Sequence, residues 1–142
     1  MPKNNPPDII LSDMGSSPTV KSAGTHIYFY VDVTPITVMD LLLHTQDIQS
    51  EILRHSVVFD NTPAPIHLHI NSGGGDLFSG LAAFDALRAL KVPLHTHIEG
   101  LAASAATLLS LAGSKRTIGP TSFMLIHQLS SDIWGKFEEH KD

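Results

Sequence analysis

The chain has 142 residues and a formal net charge of −5, is 42% hydrophobic and contains no cysteine. That length builds one domain with a real core but not two. The composition removes disulfides, thiolate metal sites and cysteine nucleophiles, and nine Lys and Arg without a basic stripe argue against nucleic acid or an anionic membrane surface as partner. The longest apolar run, Leu101 to Ala112, falls short of the roughly 18 to 20 residues of a membrane helix and is interrupted by Ser104, Thr107 and Ser110. Met1 to Pro7 has no apolar centre of a secretory signal, so a cytoplasmic setting is expected.

Residues 1–24, with Pro2, Pro6, Pro7, Pro18, Gly15 and Gly24, read as a flexible N-terminal arm with one apolar patch, Ile9-Ile10-Leu11. Ile27 to Val33 is rich in β-branched and aromatic residues and predicts a strand. Thr34-Pro35 supplies an N-cap and a proline at the first helical position, and Val38, Leu41, Leu42, Ile48 and Ile52 recur near helical spacing, so a helix is expected over about 36–54. Residues 55–65 read as a loop. Ile66 to Ile70 alternates strictly, as a strand does, and enters a glycine cluster, Asn71-Ser72-Gly73-Gly74-Gly75. Leu77, Leu81, Phe84, Leu87 and Leu90 then mark a second helix closed by Pro93.

Leu94 to Ile98 predicts the next strand and Ala103 to Ala112 a third helix, with Gly113 in the C-terminal capping place. Lys115–Ile118 and Phe123–Ile126 read as short strands around a Gly119-Pro120 turn, and Lys136 to Asp142 reads as the start of a helix after Gly135. Strand and helix in alternation imply a mainly parallel α/β sheet.

In such a sheet, ligands gather where strands end and helices begin, because helix N-termini present unpaired N–H groups. Ser72 to Gly75 and Ala103 to Ala105 both fall at such junctions. Glycine lets the main chain approach a substrate closely, and an oxyanion hole needs two N–H donors aimed at one point. Ser104, flanked by alanines, is either a nucleophile or an ordinary helix N-cap. His127, at the end of a strand, is either its general base or a structural histidine; the two readings separate only if the fold brings it beside Ser104.

Taken in order, Ile70-Asn-Ser-Gly-Gly-Gly75, the helix with Phe84-Asp85, Gly100-Leu-Ala-Ala-Ser104-Ala, Ala112-Gly-Ser-Lys-Arg116 and Met124-Leu-Ile-His127-Gln128 resemble the ClpP family of ATP-dependent Clp protease proteolytic subunits. The resemblance implies a ClpP/crotonase-like α/β fold of repeated β-β-α units around a mainly parallel sheet, with a head domain over residues 25–142 that ends at the start of a truncated handle helix. It implies Ser104 as nucleophile, His127 as base, and the backbone N–H groups of Gly75 and Ala105 as oxyanion hole, with no metal and no cofactor. The implied activity is serine endopeptidase chemistry through an acyl-enzyme, on peptide or unfolded protein. The implied partners are further copies in heptameric rings and an AAA+ unfoldase of ClpX, ClpA or ClpC type, with neither nucleic acid nor membrane involved.

The family's third catalytic residue, an Asp, lies well beyond the histidine, so neither Asp132 nor Asp142 takes its place, and truncation of a longer chain is the expected reason. Gly73 stands where the family usually has proline. Two alternatives follow: a catalytically incomplete ring subunit or interaction module, and a crotonase-type acyl-CoA enzyme, for which Glu99 is the only nearby acid. His67, His69, His95 and His97 alternate on two predicted strands; if those strands are neighbours the four imidazoles share one face, where hydrogen-bonded histidines are the expected outcome rather than metal ligands. Ile133 and Trp134 read as subunit-packing or local core residues, and Lys136 and Lys141 as weak candidates for a Ser-Lys dyad.

Overall fold

The computed structural model describes residues 19–127. The expected handle helix, Ile133, Trp134 and the dyad candidates Lys136 and Lys141 lie outside the described residues, as does most of the expected arm. A six-stranded sheet runs β1 (Lys21–Ala23), β2 (His26–Phe29), β3 (Ile66–Ser72), β4 (Leu94–Ala103) and β5 (Lys115–Ile118), with β6 (Phe123–Leu125) also paired to β4. Only β1 is antiparallel to its neighbour; the other pairings are parallel. The mainly parallel α/β architecture is the one the alternating pattern predicts.

Strand parity builds the core. Ile27, Phe29, Ile66, Leu68, Ile70, Leu94, Thr96 and Ile98 are buried on one sheet face, together with Val38, Leu41 and Ile52 of α1 (Pro35–Phe59), Ala83 and Leu87 of α2 (Leu77–Arg88), and Ala106 and Leu109 of α3 (Ala106–Leu111). The one polar side chain in that strand set, Thr96, donates from Oγ1 to the Ser110 carbonyl at 2.8 Å, so its burial leaves no unpaired hydroxyl.

Several boundaries differ from the sequence expectation. The last residues of the expected arm form β1, because Gly24 at φ 58° turns the chain back onto β2. α1 begins at the expected N-cap Thr34 with Pro35 following, and Thr37 completes a capping box, Thr37 N donating to Thr34 Oγ1 at 3.1 Å and Thr34 N to Thr37 Oγ1 at 2.9 Å, but the helix continues to Phe59. β2 ends at Phe29, though Val33 still bridges to Gly75. Finally, β4 is twice its expected length: after Ile70 pairs with Ile98, the next partners are Ser72 and Ala102, so β4 holds two extra residues in a bulge that includes Gly100 at φ 93°. Beyond the bulge β4 leaves β5 and takes β6 as its partner at Leu101–Ala103. The third helix is correspondingly shorter than expected, starting at Ala106.

Candidate active site

The glycine cluster leaves β3 and turns into α2. Gly74 (φ 96°) and Gly75 (φ 148°) have backbone angles that side chains disfavour. Space reinforces this: a Cβ on Gly75 would lie 2.2 Å from the Val33 carbonyl oxygen, and one on Gly74 would lie 2.5 Å from the Ala103 oxygen and 2.8 Å from Ser104 Cβ. The loop therefore presses directly on the serine segment. Val33 fixes it, donating to the Gly74 carbonyl and accepting from Asp76 N, both at 2.8 Å. In a parallel bridge of this kind the central residue's own N–H points away from the partner strand, so the Gly75 N–H is not consumed by Val33. Asp76 then caps α2, accepting from Ser79 N at 2.8 Å and from the Ser79 hydroxyl, and these bonds, the hydroxyl's first, hold its carboxyl below the usual range.

Ser104 sits between β4 and α3 at φ 55°, a left-handed conformation that costs a non-glycine residue about 1–2 kcal/mol. The N-cap reading of Ser104 is thereby corrected. The cap position is Ala105, which makes no side-chain cap bond, while the Ser104 carbonyl accepts from Thr107 N at 3.0 Å and from Thr107 Oγ1 at 2.6 Å. Its N–H is held by the Leu125 carbonyl of β6 at 3.0 Å. Among the described residues, Ser104 Oγ makes no hydrogen bond. The hydroxyl thus stands on a strained strand-to-helix turn with its backbone fixed on both sides. Both flanking alanines are buried; Ala103 packs against Gly74, and Ala105 against Gly80, where a Cβ would come within 3.1 Å.

His127 follows β6 by two residues and is exposed. It lines the same cleft as Ser104 and Ala105, about 250 Å³ in volume and walled by Leu77, Leu81, Leu108 and Ile126. The fold thus brings three of the four expected site residues to one cleft, with Gly75 in the loop that packs on Ser104. A larger depression, about 590 Å³, lies against α1 between Ile48 and His55 and carries none of them.

The four alternating histidines do share one sheet face, and His26, which the sequence reading missed, joins them. Their rings pair with one another, and among the described residues no group of three converges on a metal position. Glu99, the acid considered for acyl-CoA chemistry, belongs to this face, bonded to Tyr30 and His69. Burial alone works to raise its pKa, but the bonds from Tyr30 and His69 outweigh it and the net shift is downward.

The sequence matches a family model described as Clp protease over residues 39–141. The chain belongs to the Clp protease family. It is 42% identical over 94 residues to ATP-dependent Clp protease proteolytic subunit 2 of Treponema denticola, an alignment covering 63% of this chain and 47% of that protein. It is 31% identical over 113 residues to the proteolytic subunit of Deinococcus radiodurans, covering 63% and 55%. The chain spans about half the length of these curated relatives. Among solved structures, ClpP1 from Listeria monocytogenes superposes with a TM-score of 0.63 at 23% identity, covering 75% of this chain and 58% of that one. The ClpP catalytic domain from Plasmodium falciparum gives 0.55 at 29% identity, covering 72% and 53%. The fold of this Clp protease chain is that of ClpP catalytic domains.

Proposed function

We propose that the chain is the serine endopeptidase subunit of an ATP-dependent Clp protease. Ser104 Oγ attacks the scissile carbonyl as His127 takes its proton; the tetrahedral oxyanion is held by the N–H groups of Gly75 and Ala105. His127 then returns the proton to the leaving amine, and water, deprotonated by the same imidazole, hydrolyses the acyl-enzyme. The apolar walls Leu77, Leu81, Leu108 and Ile126 suit an apolar substrate side chain beside the scissile bond. We assign no residue of this chain to the role of orienting His127. Ring assembly with further copies, feeding by an AAA+ unfoldase of ClpX, ClpA or ClpC type, a cytoplasmic setting, and a head domain from about residue 25 onward complete this reading.

The observation that carries it is the left-handed Ser104, held in a cleft that it shares with His127 and packed against the glycine loop. A fluorophosphonate probe tests it: modification at Ser104, abolished in Ser104→Ala and strongly reduced in His127→Ala, is expected. A Ser104 Oγ that makes no hydrogen bond among the described residues favours a second reading, a ring subunit that assembles without cleaving. Absence of labelling, together with co-assembly of the chain with an active Clp peptidase, would replace the first reading by the second.

A further inference from the structure

The sheet face opposite the helices carries two rows of rings. The register sets His26, His67 and His95 side by side across β2, β3 and β4, with Lys115 next on β5; Tyr28, His69, His97 and Thr117 form the following row, with Lys21 of β1 opposite Tyr28. Tyr30 and Glu99 lie beyond, the tyrosine hydroxyl donating to the carboxylate. Among the described residues the titratable groups facing this cluster from its five strands are therefore five imidazoles, two phenols, two lysines at its margins and one carboxylate.

The rings are close. His26 stacks on His67 with centroids 4.5 Å apart, His97 on His69 at 4.9 Å and on His67 at 5.2 Å, and Tyr28 on His69 at 4.6 Å. Two imidazole pairs join neighbouring strands: His26 Nδ1 with His69 Nε2 at 2.8 Å between β2 and β3, and His67 Nδ1 with His97 Nε2 at 2.9 Å between β3 and β4. Their outer nitrogens are anchored, His69 Nδ1 to Glu99 Oε1 at 2.5 Å and His97 Nδ1 to Thr117 Oγ1 at 2.6 Å.

An N–H···N bond between imidazoles needs one nitrogen with a free lone pair. Each pair can take one extra proton and keep its bond by exchanging tautomers. A second proton leaves two donors facing each other, beside stacked imidazoles and with Glu99 as the sole carboxylate on the face among the described residues.

We propose that this face is a protonation-controlled latch: it joins β2, β3 and β4 while each imidazole pair holds at most one extra proton, and in mildly acidic solution the second protonation parts the strands. β3 runs on into the Ser72–Gly75 loop and β4 into Ala103 and Ser104, so opening loosens both. Burial first, then the neighbouring imidazoles (His26 for the one, His69 for the other), hold His67 and His97 below the ordinary value of 6.5. Folding therefore disfavours their protonation; stability is complete above that value and declines as pH falls through it toward the lowered folded values.

Thermal unfolding of the 142-residue chain between about pH 7.5 and 5.5, with imidazole Cε1–H titrations by NMR, tests the latch. The midpoint is expected to fall by about 8 °C or more over that range. His67→Gln combined with His97→Gln should remove at least half of the fall whatever its starting midpoint, while exposed His55→Gln keeps all of it. Should the double variant not fold, Glu99→Gln, which deletes the counter-charge, should fall more steeply with decreasing pH than the unaltered chain. A constant midpoint, a fall retained in full by the double variant, or rings that titrate independently near their ordinary value would overturn the latch. None of these readouts depends on whether Ser104 is a nucleophile.

Discussion

The glycine and serine loops and the histidine face are built on the same two strands, β3 and β4, by opposite means. At the loops the backbone is the working part: Gly74, Gly75 and Ser104 all have positive φ, side chains are small or absent, and main-chain groups of adjacent segments pack directly against one another. On the histidine face the backbone is regular β-ladder, and side-chain rings bond and stack between strands. At the loops, small residues let the main chain of one segment reach that of the next. The face can sense protons because its hydrogen bonds run between titratable rings. A substitution should accordingly damage chemistry at one end of β4 and pH response at the other.

The largest separation should come from Ser104→Ala. Fluorophosphonate labelling should vanish and peptide cleavage by an assembly containing the chain should drop by about 10⁴-fold or more, while the pH dependence of the melting midpoint stays as it was. Gly75→Ala should break the loop itself, since its Cβ would enter the Val33 carbonyl and its φ is one that alanine avoids. Urea unfolding should show a loss of about 3 kcal/mol or failure to fold.

The two regions also differed in how far the sequence revealed them. Alternation on Ile66 to Ile70 and Leu94 to Ile98 put the histidines of each strand on one side, because parity is a local property, and the pairing of β3 with β4 makes that side common to both. His26 was missed since the β-branched and aromatic signal starts at Ile27, and only the pairing of β2 with β3 places its ring beside His67. β1 was missed for a similar reason: Lys21-Ser22-Ala23 has no strand propensity of its own and is recruited by the Gly24 turn. The predicted strand stopped at Ile98, yet β4 continues through Gly100, which bends it. The strain at Ser104 had no sequence signal, because it is imposed jointly by β6, which holds its N–H, and α3, which holds its carbonyl. That Ser104 and His127 line one cleft depends on β6 pairing with the far half of β4, a contact outside the reach of periodicity.

A smaller effect separates the core face from the histidine face. Thr96→Val removes the donor to the Ser110 carbonyl at a fully buried position and should cost about 1–2 kcal/mol in urea unfolding, leaving the pH slope between 7.5 and 5.5 unaltered.

The smallest expected effect tests the anchor of the histidine face directly. The Tyr30 hydroxyl donates to Glu99, and that bond, followed by burial and the charge of Glu99, pushes the phenol up to about 12. The chain has two tyrosines, so the ionisation of Tyr30 can be followed by phenolate absorbance. Because the same carboxylate accepts from Tyr30 on one oxygen and from His69 on the other, Glu99→Gln should lower the upper absorbance step toward 10 and in the same variant steepen the fall of the melting midpoint with decreasing pH. The two shifts should appear together, since removing one negative charge makes it easier for the phenol to lose a proton and harder for the face to hold several.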